Sequence, residues 1–151
     1  LRLQGEKGSG RAAQEGLQQS AADLNQFLDE RIAASGLTPD RVALVGFSQG
    51  TMMSLHVAPR RPEPLAALVG FSGRLLAPER LAAETRARMP ILLVHGDQDP
   101  MVPFADMDAA AQALLAAEFQ VYGHVMKGTG HGIAPDGLSS ALAFLRQHLS
   151  A

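Results

Sequence analysis

Four short apolar runs, each bounded by turn residues, constrain this chain more than any other feature. They fall at 42–45, 65–71, 91–94 and, more weakly, 120–126. Uninterrupted runs of this length suit strands buried on both faces. Between them lie helix-like stretches at about 49–58, 78–88 and 104–118, and a last one follows at about 137–149. Strands alternating with helices predict an α/β chain, with a parallel sheet covered by helices on both faces and joined by right-handed crossovers. The first of these strands would normally lie in the middle of the sheet, and with no strand read ahead of it is expected to leave an exposed edge. Ahead of them, Leu17, Ala21, Leu24, Leu28 and Ile32 recur at three- and four-residue steps, which predicts an amphipathic helix over about 12–34. Gly36 stands where its C-cap would fall, and Thr38-Pro39-Asp40 makes a turn. The glycine-rich stretch 4–11 reads as a mobile loop. No repeat, low-complexity tract or linker divides residues 1–151, so one domain is expected.

Composition narrows the function. With 46% hydrophobic residues, 151 residues can fill one core. The absence of Cys excludes a disulfide scaffold, a thiolate zinc site and a Cys nucleophile. Thirteen basic against 15 acidic residues, for a net charge of −2, leave no electrostatic footprint for nucleic acid or anionic membrane. With no Trp and only Tyr122, an aromatic platform for bases is unsupported. The longest apolar run, 65–71, falls far short of the roughly 18 residues an integral membrane segment needs. What remains is a soluble globular domain, an enzyme or a small binding module, expected in the cytoplasm, with a homodimer left open. The opening Leu1-Arg2-Leu3 has no initiator Met and no signal-peptide pattern, so the chain is expected to be the later part of a longer protein.

The chemistry begins at Gly46-Phe47-Ser48-Gln49-Gly50, which closes the first apolar run and opens a helix. A nucleophile on so tight a strand-to-helix turn brings its neighbours close to the backbone, which asks for small residues two before and two after it. A serine needs a base, and the base an orienting carboxylate. The third run ends in His95-Gly96-Asp97-Gln98-Asp99-Pro100-Met101-Val102-Pro103, and the fourth is followed by Gly128-Thr129-Gly130-His131-Gly132. Functional groups of open parallel sheets gather beyond the carboxyl ends of the strands, where both segments fall. The chain order Ser48, then Asp97 or Asp99, then His131 is the order of α/β-hydrolases.

From about Leu37 to Leu149, these three motifs resemble the phospholipase/carboxylesterase family of serine hydrolases, relatives of the acyl-protein thioesterases. The resemblance implies an α/β-hydrolase fold, here without its N-terminal strands. It also implies a Ser-His-Asp triad with no metal or organic cofactor, and hydrolysis of a carboxylic ester, thioester or lysophospholipid through an acyl-enzyme. It makes Asp99 the triad acid, the Gln49 N–H one oxyanion donor, and Leu75, Leu76, Met101 and Val102 part of an acyl pocket. Two departures stand out. Thr51 occupies a position where the family has a second glycine, which is expected to alter helix packing. The His-Gly loop that supplies the family's second oxyanion donor does not precede Ser48 in this chain.

The other candidates read more plainly. His95 ends a buried run and reads as a structural group rather than a base. His56, His124 and His148 pair with no second ligand type at metal spacing. Met52 and Met53 read as core, Arg60-Arg61 beside Glu63 as a solvated face, and Ser72 as a residue lining the site. The rival to an esterase is a catalytically silent α/β domain that binds partners through its apolar surface, and the missing oxyanion loop is its support.

Overall fold

The structure, a computed structural model, describes residues 10–149. In chain order the elements are α1 (Gly10–Ser35), β1 (Ala43–Phe47), α2 (Gln49–Val57), β2 (Ala67–Phe71), α3 (Leu81–Glu84), β3 (Ile91–Gly96), α4 (Ala105–Ala116), β4 (Val121–Met126) and α5 (Pro135–Leu149). The strands form one parallel sheet in the order β1-β2-β3-β4. Each strand lies beside the next in sequence because each crossover carries a helix, as parallel pairing requires.

Alternation along the central strands sorts the side chains into two layers. Leu68, Ile91 and Leu93 pack with Leu55, Leu81, Ala110 and Leu114, under α2, α3 and α4. Ala67, Val69, Phe71, Leu92 and Val94 pack with Met126, Ala141 and Phe144, under α5. The expected stripe of α1 covers Met53 and Val57 of α2, with Leu17, Ala21, Leu24, Leu28 and Ile32 gathered there beside Leu44. Gly36 ends that helix at φ +72°, a conformation that favours glycine.

Two expectations are corrected, at 78–88 and in the glycine-rich stretch. The helix at 78–88 is a 3-10 turn (Pro78–Arg80) and the single turn of α3, after which the chain extends at Thr85. Its backbone is engaged elsewhere: Arg86 and Ala87 both donate to the Pro59 carbonyl, at 2.8 and 3.1 Å. Pro90 also disfavours helical geometry in Met89 before it. Among the described residues the strand at 42–45 has β2 on one side and no strand on the other, the exposed edge expected of it, with Val45 50% and Phe47 40% exposed. Of the glycine-rich stretch, Gly10 and Arg11 belong to α1, and 4–9 lie outside the described residues. Among the described residues no helix is long and apolar enough to cross a membrane.

β1 and β3 each run two residues further than the apolar pattern indicates, to Phe47 and Gly96. Because all four strands are parallel, the segments after β1, β3 and β4 emerge at one end of the sheet. Ser48, the 97–104 segment and the loop that carries His131 therefore meet there.

Candidate active site

Ser48 joins β1 directly to α2 at φ 55° and ψ −116°, a conformation rare for any residue with a Cβ. Its surroundings determine it. The Ser48 N–H donates to the Phe71 carbonyl at 2.8 Å, and the Ser48 carbonyl accepts from the Met52 N–H at 3.1 Å. The steric expectation holds on one side of the turn. A Cβ at Gly46 would lie 2.7 Å from backbone atoms of Gly50 and Thr51, whereas one at Gly50 would meet open space.

Thr51 fits because β2 makes room for it. Its hydroxyl donates to the Phe71 carbonyl at 2.7 Å. A Cβ at Gly70 would lie 2.7 Å from Thr51 Cγ2, and one at Gly73 2.6 Å from Thr51 Cβ. Two glycines of the neighbouring strand and loop thus leave space for the Thr51 side chain. Gly70→Ala is expected to cost about 1–3 kcal/mol by overpacking. Most of that should return in the double variant with Thr51→Ser, which removes Cγ2 and leaves only ordinary contacts, at 3.6 and 3.7 Å. Urea unfolding of the single and double variants measures the coupling.

The three motifs converge on one hydrogen-bonded line. His131 Nδ1 donates to Asp99 Oδ2 at 2.7 Å, and Ser48 Oγ donates to His131 Nε2 at 2.9 Å. The tautomer follows from the partners, since an ionised carboxylate only accepts. Phe47 flanks the imidazole, with ring centroids 5.0 Å apart. Asp99 Oδ1 accepts from the N–H groups of Met101 and Val102, at 2.8 and 2.9 Å, so the side chain closes its own loop while Oδ2 faces His131. Burial pushes the Asp99 carboxyl up, but the Val102 N–H, the His131 ring and the Met101 N–H together hold it below the usual carboxylate range.

Asp97 has a different partner from the one expected for an ordinary turn residue. Its Oδ1 accepts from Gly128 N–H at 2.7 Å, across to the loop that bears His131. The Gln98 N–H donates to the Thr129 carbonyl at 3.0 Å, and a Cβ at Gly96 would lie 2.2 Å from that oxygen. The two loops that carry Asp99 and His131 are therefore laced together. Sequence spacing gave no sign of this, nor of the contact between His95 and Val102 in the Asp99 loop.

The remaining candidates separate. Gln49 opens α2, so its N–H heads that helix beside Ser48. Leu75 is buried in the core under α2–α4 and borders a cavity of about 90 Å³ with Arg74, Pro78 and Asp106. Val102 is buried in the Asp99 loop, Leu76 is half-buried, and Met101 is exposed. Arg74 and Asp106 pair at 3.1 Å between the loop after β2 and α4. Ser72, expected to line the site, is fully buried at the end of β2 at φ 53°. Met52 and Met53 are buried, as expected of core residues. Arg61 is not on a solvated face: it is 7% exposed and donates to Asn25 and Asp29 of α1, at 3.0 and 2.9 Å.

His124 pairs with Asp136 at 2.6 Å, and His148 lies 4.5 Å from the Phe144 ring. His56 is buried in α2, and burial, then Arg60 and Arg80, lower its pKa to about 4 against a weaker opposite pull from Glu84. Between pH 6.5 and 4 the unfolded chain therefore binds more protons than the folded one, and stability falls as the pH drops through that window. His56→Gln is expected to flatten this slope in denaturant midpoints measured at each pH.

A family model described as Phospholipase/Carboxylesterase matches residues 3–149. The chain belongs to the phospholipase/carboxylesterase family. Acyl-protein thioesterase 1 of Gibberella zeae is 31% identical over 140 residues, which cover 89% of this chain and 59% of that protein. Esterase YpfH of Escherichia coli is 34% identical over 113 residues, covering 74% of this chain and 47% of that protein. The crystal structure of esterase PE8 matches with a TM-score of 0.86 at 44% identity, over 89% of this chain and 63% of that one. Arabidopsis thaliana SOBER1 matches with a TM-score of 0.81 at 25% identity, over 89% and 65%. This phospholipase/carboxylesterase chain thus has the α/β-hydrolase fold expected of it. It spans about three fifths of the length of the acyl-protein thioesterases it matches.

Proposed function

We propose that this chain carries the nucleophile, base and acid of a serine hydrolase that cleaves carboxylic esters, with thioesters and lysophospholipids within the same chemistry. The observation that carries the reading is His131 bridging Ser48 Oγ at 2.9 Å and Asp99 Oδ2 at 2.7 Å. In this reading His131 Nε2 takes the proton as Ser48 Oγ attacks the carbonyl carbon, and Asp99 steadies the imidazolium. The oxyanion gathers at the N–H of Gln49, the donor this chain contributes. His131 then gives its proton to the departing alcohol or thiol, which leaves an ester on Ser48. Water, deprotonated by the same nitrogen, releases the acid and restores the serine. No step calls for a metal or an organic cofactor.

The names of the relatives support this class of substrate, and a small ester in the cytoplasm is the setting we propose. A fluorophosphonate probe tests it on the full natural protein. Labelling at Ser48, absent from Ser48→Ala, is the expected result. An unlabelled, folded protein would favour a silent domain instead.

A further inference from the structure

His95 is a buried polar side chain for which the proposed reaction has no step. It is the penultimate residue of β3 and is 2% exposed, with the Phe104 ring edge-on at 6.0 Å. Its Nε2 lies 2.9 Å from the Val102 carbonyl oxygen. A carbonyl only accepts, so Nε2 carries the hydrogen and donates it. The same nitrogen is 3.5 Å from Asp99 Oδ2, the oxygen that accepts from His131. Val102 in turn donates its N–H to Asp99 Oδ1 at 2.9 Å. The peptide groups of Val102 are thus held at both polar atoms, the carbonyl by His95 and the N–H by Asp99.

A site that needed only to be filled would take an apolar side chain, because a buried imidazole costs desolvation unless it is bonded. Here the bond goes to the one segment that seats the Asp99 carboxylate. We propose that His95 is a positioning residue: its Nε2–H fixes the Val102 carbonyl and, through Val102, the rotation of the Asp99 carboxylate, keeping Oδ2 aimed at His131 Nδ1. This rests on the reading of Ser48, His131 and Asp99 given above.

The test uses the full natural protein and a short-chain nitrophenyl ester. His95→Phe keeps the ring and removes the donor, whereas His95→Gln keeps a donor of similar reach. His95→Phe is expected to lower kcat about 10- to 100-fold with KM within about twofold, since small misplacements of a catalytic group act on the transition state. The downfield proton resonance of His131 Nδ1–H should shift upfield or broaden away. His95→Gln should recover most of both effects. If His95→Phe does not fold, His95→Asn replaces it, because the shorter amide falls short of Val102 and should show the same losses.

Unchanged kcat and an unchanged resonance in the donor-free variant would overturn the proposal, as would a lowered melting temperature with no other effect. Ser48→Ala, assayed in parallel, separates the two levels. If it is inactive while His95→Phe is fully active, only the positioning role falls. If Ser48→Ala retains turnover, the reading beneath it falls as well.

Discussion

Ser48→Ala is expected to lower turnover of a short-chain nitrophenyl ester on the order of 10⁴- to 10⁶-fold in the full natural protein, with the melting temperature nearly unchanged. The hydroxyl contributes one hydrogen bond, to His131, and that bond is only part-buried. Alanine has the same Cβ as serine, so φ 55° is no more strained for it. The bonds that hold the turn, from Ser48 N–H to Phe71 and from Met52 N–H to Ser48, are backbone bonds and survive the change. His131→Ala should cost about as much, and the double variant no more than either single one, because the groups act as a unit. Esterase assays on the three variants, with thermal melts beside them, give the comparison. Additive losses would mean that Ser48 and His131 do not share one step.

The turn around Ser48 is legible in the sequence because two local rules coincide there: an apolar run that ends abruptly, and small residues beside a serine. Loop identity is legible too, since a parallel sheet sends every strand's carboxyl end to one side, whatever the details. The α1 stripe could be read because 3.6-residue spacing survives wherever the helix docks. Other features depend on what a residue meets across the fold. Residues 78–88 have helical composition, but Pro59 takes two of their N–H groups. Arg61 looks like a surface charge until α1 comes to lie over it. Spacing alone also left Asp97 and Asp99 as equals, two residues apart on one loop.

Asp99→Asn is expected to lower turnover on the order of 10⁴-fold, and Asp97→Asn by no more than about tenfold. The difference follows from what each carboxylate accepts. Asp99 Oδ1 takes two backbone N–H groups, from Met101 and Val102, while Oδ2 takes His131 Nδ1–H. An amide in its place has one acceptor end and one donor end. With its oxygen toward Met101 and Val102, its NH₂ faces His131 and forces the hydrogen from Nδ1 to Nε2. Nε2 can then no longer receive the serine proton. With its oxygen toward His131, the NH₂ confronts two N–H donors inside a buried loop, at a cost of about 1–3 kcal/mol for groups left unpaired. Neither orientation keeps both functions. Asp97 Oδ1 accepts a single N–H, from Gly128, and an amide oxygen serves that bond as well. Steady-state kinetics of the two variants decide the matter. If Asp97→Asn proves the more damaging, the acid that serves His131 during turnover is not the one beside it at rest.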